Sequence, residues 1–156
     1  MVAQRRMFLK GAIATSWPMT STFAQGVRVN RAEPPADAIT LAQQLRAGEM
    51  TPLEALEAAM ARVQDLPRLN AVVVRDDELA RSRARQQSAL GRADRARATA
   101  HAPLWGVPFL LKDLNQYLRG TVTTNGSRFF RNAVADHDST LVQRYQACGL
   151  NIFGKT

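Results

Sequence analysis

The apolar residues in the first half of the chain recur at helical spacing. Residues 53–63 carry Leu, Leu, Met and Val three or four positions apart, which predicts an amphipathic helix packed on the body of the fold. Thr51 and Glu54 form a capping box at the start of this helix, with proline at the first helical position. A second capping box predicts a shorter preceding helix, which begins at Thr40 and ends at Gly48.

Three short apolar runs bounded by turn residues have the length of β-strands. A lysine, Lys112, directly follows the second run. A polar segment lies between the first and second runs. A segment with helical spacing, which ends at Gly149, lies between the second and third runs. The pattern therefore predicts, in chain order, a strand at residues 70–74, a helix at 76–90, a flexible loop at 91–102, a strand at 107–111, a helix at Thr140–Ala147 and a strand at 150–153.

The position of Lys112 at the end of an apolar strand makes it a candidate catalytic residue. The carboxyl ends of strands in α/β folds border ligand crevices. Since strand side chains alternate, Lys112 shares a face with Leu110, and Asp113 points the other way. A buried ammonium without a carboxylate partner has a pKa below the usual value of about 10.4, and such a lysine acts as a general base. The alternative is a surface lysine, or one paired with a distant acid.

Composition and charge agree with a globular protein and raise one rival function. The chain has 156 residues, 46% of them hydrophobic, and a net charge of +8. An arginine-rich segment from Arg81 to Arg97 suggests a nucleic-acid-binding module. No aromatic residue interrupts the sequence between Arg75 and Pro103, so a stacking platform for bases is missing. We interpret the segment as a solvated helix face and expect no nucleic-acid partner.

A second rival function is nucleotide binding. The sequence from Gly149 to Thr156 matches the P-loop pattern G-x-x-x-x-G-K-T. A P-loop needs a strand before it and a helix after it, whereas here a predicted helix precedes an apolar, strand-like run. We therefore interpret Lys155 as a structural residue or one at the edge of a crevice.

Metal and thiol chemistry find no support in the sequence. His101 and His137 lie in predicted loops without metal-ligand spacing. Cys148 is the single cysteine, so an internal disulfide is impossible, and we expect it to be a small packing residue. We expect neither a metal nor a cofactor.

The first 37 residues resemble a targeting segment and a linker. Within residues 1–26, the run from Arg5 to Lys10 resembles the twin-arginine export signal, although Gln4 departs from the usual pattern. The apolar stretch that follows is too short to span a bilayer, which takes about 20 residues. Residues 27–37, with two adjacent prolines, form a linker. We expect a periplasmic or secreted protein, exported by the twin-arginine machinery, with no stable membrane span.

Four sequence blocks follow one another in the second half of the chain: Leu104-Trp-Gly-Val-Pro-Phe-Leu-Leu-Lys-Asp113, Gly120-Thr-Val-Thr-Thr-Asn-Gly-Ser-Arg128, Asp138-Ser-Thr-Leu-Val-Gln-Arg144 and Gly149-Leu-Asn-Ile-Phe-Gly-Lys-Thr156. In this order they resemble the N-terminal third of the amidase signature family, serine hydrolases that cleave carboxamides. The similarity extends from about residue 38 to residue 156. It implies an α/β fold with a mixed β-sheet covered by helices, of which residues 38–156 form the N-terminal part.

The resemblance implies a role for Lys112 in a Ser–cisSer–Lys triad. In the family, a lysine at this position takes a proton, through a bridging serine, from the nucleophilic serine that attacks a small-molecule amide. Both serines belong to a serine-rich region that follows the Gly-Lys-Thr block. We expect this chain to stop before that region, since the strand-like run at residues 150–153 has nothing after it to cover it. Alone, the chain would supply only the lysine and be inactive. No serine of the chain stands in a matching context: Ser16, Ser21, Ser82, Ser88, Ser127 and Ser139.

Overall fold

The computed structural model describes residues 36–156, in which five α-helices and three β-strands follow one another. The predicted export signal and all but the last two residues of the predicted linker lie outside this part. One-turn 3-10 helices occupy Pro67–Leu69 and Arg128–Phe130. The main elements are α1 (Ala38–Ala47), α2 (Pro52–Asp65), β1 (Val74–Arg75), α3 (Asp77–Ser88), α4 (Arg92–His101), β2 (Pro108–Leu111), α5 (Thr140–Ala147) and β3 (Asn151–Lys155).

The three strands form one mixed sheet in the order β1-β3-β2. The middle strand, β3, is antiparallel to β1 and parallel to β2. The pairing with β2 is irregular: Phe109 is opposite Ile152, but the next residue, Leu110, is opposite Gly154, so Phe153 is an extra residue on β3. The mixed sheet with its helices confirms the predicted α/β class.

Both faces of the sheet are covered by helices. On one face, Phe153 packs with residues of α2 and α3, and on the other, Ile152 packs with Val142 of α5. All five residues of β3 are buried, so the expectation that the last strand-like run is uncovered is wrong. Burial of each large apolar side chain contributes about 1.5–3 kcal/mol. The three apolar clusters consist of Leu56, Met60, Ala80, Ala84 and Phe153; of Leu111, Leu118, Val142 and Ile152; and of Ala42, Leu45, Ala55, Trp105, Val107 and Leu150.

The local signals for the first two helices are confirmed except for one cap. Thr51 and Glu54 form the predicted capping box, in which the Thr51 backbone N–H donates to the Glu54 carboxylate at 2.8 Å. Gly48 ends α1 as predicted. The predicted box at Thr40 is wrong: α1 begins two residues earlier, and the Thr40 N–H donates to the Asp37 carboxylate at 2.7 Å. Asp37 was available as a cap because aspartate accepts from the N3 amide as well as threonine does.

Two predicted segments differ from the structure. The loop expected at residues 91–102 is the helix α4, because its alternating alanines and arginines are strong helix formers. The strand expected at residues 70–74 is reduced to Val74–Arg75. Asn70 has a left-handed φ of 44° directly after the 3-10 turn, so the chain cannot enter the extended conformation there.

Gly149 lets the chain pass close to the backbone of Trp105. Its φ is +86°, and a Cβ atom there would lie 2.6 Å from the Trp105 Cα atom. Gly120 has a similar φ of +79° with no atom within 4 Å of such a Cβ.

We expect Gly120→Ala to lower the free energy of unfolding by about 1–2 kcal/mol, from the left-handed backbone alone, and Gly149→Ala to lower it by clearly more. Urea unfolding of both variants measures this difference, and equal losses would contradict the close approach.

Candidate active site

The parallel pairing of β2 and β3 brings the carboxyl ends of both strands to one edge of the sheet. Leu111 is opposite Lys155, and the ladder continues beyond the strands. The Thr156 N–H donates to the Leu111 carbonyl at 2.8 Å, and the Asp113 N–H donates to the Thr156 carbonyl at 2.8 Å. Lys112 and Lys155, the two lysines of the described residues, therefore stand on neighbouring strands at the same edge.

Lys112 has an exposed side chain within residues 36–156, as in the surface-lysine alternative considered from the sequence. Its ammonium makes no hydrogen bond or ion pair within these residues. Its backbone N–H donates to the Gln116 side-chain carbonyl at 2.9 Å, which fixes the turn after β2. The chain turns away at Asn115, whose φ is +57°, so no part of this turn covers the ammonium. The catalytic role of Lys112 stays a prediction.

Lys155 is the fully buried lysine of this edge. Its ammonium donates to the Val122 carbonyl at 2.6 Å and to the Thr123 hydroxyl at 2.5 Å. Burial lowers the pKa of Lys155 from its usual value, and the carboxylates of Asp76 and Asp113 oppose this shift. Of the two roles considered from the sequence, the structural one is supported, because both contacts of this ammonium hold residues 122 and 123 in place.

Asp113 connects the end of β2 to the same loop that Lys155 contacts. Its carboxylate is buried and accepts from the Thr124 N–H at 2.8 Å and from the Thr124 hydroxyl. Asp113 thus points away from Lys112, as strand alternation predicts. Lys155, Asp113, Thr123 and Thr124, which we call the Lys155 cluster, hold residues 122–124 against the edge of the sheet.

Asp76 adds a second carboxylate close enough to affect Lys155. Burial raises the pKa of Asp76 above its usual value, and the positive charge of Lys155 opposes the rise. One oxygen of this carboxylate is buried and has no hydrogen-bond partner within residues 36–156. The carboxylate is therefore kept in a site that solvates its charge poorly.

The turn at residues 125–127 is fixed by the loop that follows Lys112. The Asn115 N–H donates to the Asn125 side-chain carbonyl at 3.1 Å, and the Asn125 amide donates to the Tyr117 hydroxyl at 3.4 Å. The Ser127 N–H donates to the Thr124 carbonyl at 2.9 Å, which closes the turn. The Ser127 hydroxyl caps the 3-10 helix by accepting from the Phe129 N–H at 3.3 Å.

The P-loop interpretation has no geometric support. Lys155 belongs to a strand that follows a helix, and its ammonium is engaged by residues 122 and 123. The backbone N–H groups of Asn151 and Thr156 donate to the neighbouring chain segment instead of facing a cavity. A phosphate cradle is therefore absent from this segment.

The described residues offer neither a metal cluster nor a membrane helix. Residues 36–156 contain no group of three or more His, Cys, Asp or Glu side chains placed to hold a metal ion. Every helix in this part of the chain is too short or too polar to cross a bilayer.

Comparison with known proteins assigns the family. A family model described as Amidase matches residues 54–156. The chain belongs to the amidase family. It is 37% identical, over 123 residues, to a 6-aminohexanoate-cyclic-dimer hydrolase from Paenarthrobacter ureafaciens, and the match covers 77% of this chain and 22% of that protein. It is 38% identical, over 118 residues, to a component of the glutamyl-tRNA(Gln) amidotransferase of Deinococcus radiodurans, with 76% of this chain and 23% of that protein covered.

Solved amidase structures share the fold. A 6-aminohexanoate cyclic dimer hydrolase, determined with its substrate, matches with a TM-score of 0.63 at 34% identity, over 78% of this chain and 23% of that one. A bacterial aryl acylamidase of the amidase signature family matches with a TM-score of 0.68 at 25% identity, over 78% and 25% of the two chains. The chain thus spans about a quarter of the amidases it resembles.

The sequence indicated Lys112 at the end of β2 as a candidate, but it did not indicate the Lys155 cluster at the same edge of the sheet. The available signal was the run Thr121-Val-Thr-Thr124, whose hydroxyls are suited to a buried ammonium and carboxylate. The partners of Lys155 are 32 and 33 residues away in sequence, so only the folded chain brings them together.

The two lysines give a matched test of the Lys155 cluster. Lys155→Met leaves the Val122 carbonyl and the Thr123 hydroxyl without the ammonium that binds them, so we expect a loss of about 1–3 kcal/mol in the free energy of unfolding. Lys112→Met alters an exposed side chain, and we expect no measurable loss. Urea unfolding of the two variants gives both values. Equal stability of the two variants would contradict the structural role of Lys155.

The raised pKa of Asp76 predicts the direction in which the free energy of unfolding changes with pH. Because the folded state holds the proton of Asp76 more tightly than the unfolded state, the free energy of unfolding falls as pH rises from 3.8, the ordinary value, through the raised pKa. We expect Asp76→Asn to remove this fall, so that the stability of the variant relative to the original protein increases with pH. Urea unfolding between about pH 3.5 and pH 7 measures it.

Asp136→Asn is the control for this experiment. The hydrogen bond from His137 lowers the pKa of the exposed Asp136 from its usual value. Its contribution to stability is present above the unfolded pKa and lost as pH falls, so this variant must lose stability relative to the original protein as pH rises. A common direction for both variants would show that the burial of Asp76 does not set its pKa.

Proposed function

We propose that the active form of this protein hydrolyses the C–N bond of a small carboxamide, with Lys112 as the base of a Ser–cisSer–Lys mechanism. One observation supports the choice of Lys112, and not Lys155, as the base at this edge of the sheet. The Lys155 ammonium is engaged by the Val122 carbonyl and the Thr123 hydroxyl, whereas the Lys112 ammonium has its donors available within the described residues. Lys112 is therefore the lysine that can meet a serine.

The proposed chemistry is proton transfer followed by acyl transfer. Lys112, neutral when ready to react, takes a proton through the bridging serine from the nucleophilic serine, which attacks the amide carbonyl. Backbone N–H groups stabilise the oxyanion of the tetrahedral intermediate. When this intermediate collapses, the C–N bond breaks and the amine leaves with the proton that Lys112 returns through the bridging serine. Water then hydrolyses the acyl ester, which releases the carboxylic acid and regenerates the nucleophilic serine. The mechanism needs no metal or cofactor.

Burial away from water favours the neutral form of a lysine, so Lys112 needs to be covered before it can act as a base. We propose that the rest of the amidase fold, which makes up about three quarters of the relatives' length, covers Lys112 and supplies both serines. The Lys155 cluster supports this arrangement, since it fixes Asp113 beside Lys112 and thereby the direction in which Lys112 leaves the sheet. This chain alone would have no turnover.

The proposed setting is a stand-alone amidase outside the cytosol. Support comes from the resemblance of residues 1–26 to a twin-arginine signal and from the similarity to a hydrolase of a cyclic dimer. The P-loop alternative is not favoured, because Gly154 and Lys155 lie within a buried strand. The arginine-rich alternative is weakened by the pairing of Arg81 with Glu57 at 2.7 Å.

Substitution of Lys112 in an enzyme that includes the complete amidase fold tests the proposal. We expect Lys112→Met to lower kcat by at least about 10²–10⁴-fold, because general acid–base catalysis contributes that much. The nearby Arg119→Met also removes an exposed cation and should leave turnover unchanged. Release of ammonia or amine from simple amides gives the rate, and circular dichroism checks the fold.

Two results would overturn the assignment. The first is turnover retained by a folded Lys112→Met enzyme. The second is hydrolysis of simple amides by the purified 156-residue chain, since it would place a nucleophile among the residues we consider inactive.

A further inference from the structure

A cavity between α1 and α4 is lined by three arginines and lies apart from the edge of the sheet that carries Lys112. Its volume is about 490 Å³, and Arg46, Arg92 and Arg95 contribute to its walls. No acidic residue is among the described residues that line it. The cavity is within the range of about 300–1,000 Å³ that is typical of small-molecule sites.

Like most arginines of residues 36–156, these three have no acidic partner, and what sets them apart is that they line one cavity. Arg75 pairs with Asp77, Arg81 with Glu57, and Arg97 with Asp94. Arg46, Arg92 and Arg95 form no ion pair with any described residue. Three like charges around one cavity repel one another, and an anion bound between them relieves that repulsion.

The guanidinium of Arg95 lies against the end of α1. A Cβ atom at Gly48 would lie 2.7 Å from the Nη2 atom of Arg95, so the guanidinium of this half-buried residue rests on the glycine that ends the helix. A side chain that is already positioned loses less conformational entropy when it binds a ligand. The cavity therefore contains at least one pre-positioned donor group with its N–H bonds not used by described residues.

We propose that this cavity binds a small, multiply charged phosphate of the diphosphate class. The planar guanidinium group donates two parallel hydrogen bonds to a phosphate, a geometry that a point-charge cation cannot provide. A phosphate group carries about −1.5 to −2 charges at pH 7, so a diphosphate balances three arginines better than a single carboxylate does. The site is independent of the amide chemistry proposed for Lys112.

Titration of the purified protein with inorganic pyrophosphate tests the proposal. We expect saturable binding by calorimetry that weakens between about 20 mM and 150 mM salt. Arg46→Gln, Arg92→Gln and Arg95→Gln should each weaken it about tenfold or more, because each removes charge-assisted hydrogen bonds. Arg131→Gln, an exposed arginine outside the cavity, is the matched control and should leave the affinity unchanged. Circular dichroism verifies that each variant is folded.

Four outcomes would overturn the site. One is the absence of binding at millimolar pyrophosphate, and another is affinity that none of the three cavity substitutions changes. The third is a short single-stranded DNA that binds through these arginines while pyrophosphate does not, which would make the surface a nucleic-acid contact. Equal weakening by Arg131→Gln would likewise show attraction to net charge instead of a defined site.

Discussion

The parallel pairing of β2 with β3 is the constraint on which the rest of the structure depends. It places Leu111 opposite Lys155 and continues through hydrogen bonds to Thr156, so both strands end at one edge. Helices α2 and α3 cover one face of this sheet, and α5 covers the other. The register of the two strands therefore determines that Lys112 and Lys155 lie at the same edge of the sheet.

Two lysines at the same edge have opposite properties because they differ in what covers them. Lys155 is buried and donates to a backbone carbonyl and a hydroxyl, so its charge is used to hold residues 122–124 in place. Lys112 is exposed, and its ammonium is available. A buried cation with hydrogen-bond partners is a structural group here, and the more conspicuous burial of Lys155 is not a sign of catalysis.

Local signals in the sequence predicted the elements well, while burial depended on distant contacts. The capping box at Thr51 and the strand before Lys112 need only neighbouring residues, and both are present. Helix α4 was not predicted, although the alanines and arginines of its segment are strong helix formers. The partners of Lys155 come from a loop more than thirty residues earlier, and the exposure of Lys112 depends on what lies over the sheet, so no local pattern encodes either.

The extra residue at Phe153 interrupts the alternation of side chains along β3. With strict alternation, Lys155 would share the face of Phe153 and meet α2 and α3, where an ammonium would find apolar side chains. Because Phe153 has no partner on β2, the alternation of side chains along β3 changes by one residue. Lys155 therefore lies on the same face as Leu111, and its ammonium reaches the Thr123 hydroxyl. Deleting Phe153 would restore one-to-one pairing and keep Lys155 opposite Leu111, but it would remove the aromatic side chain that packs on α2 and α3, so the extra residue serves the apolar face without moving the lysine.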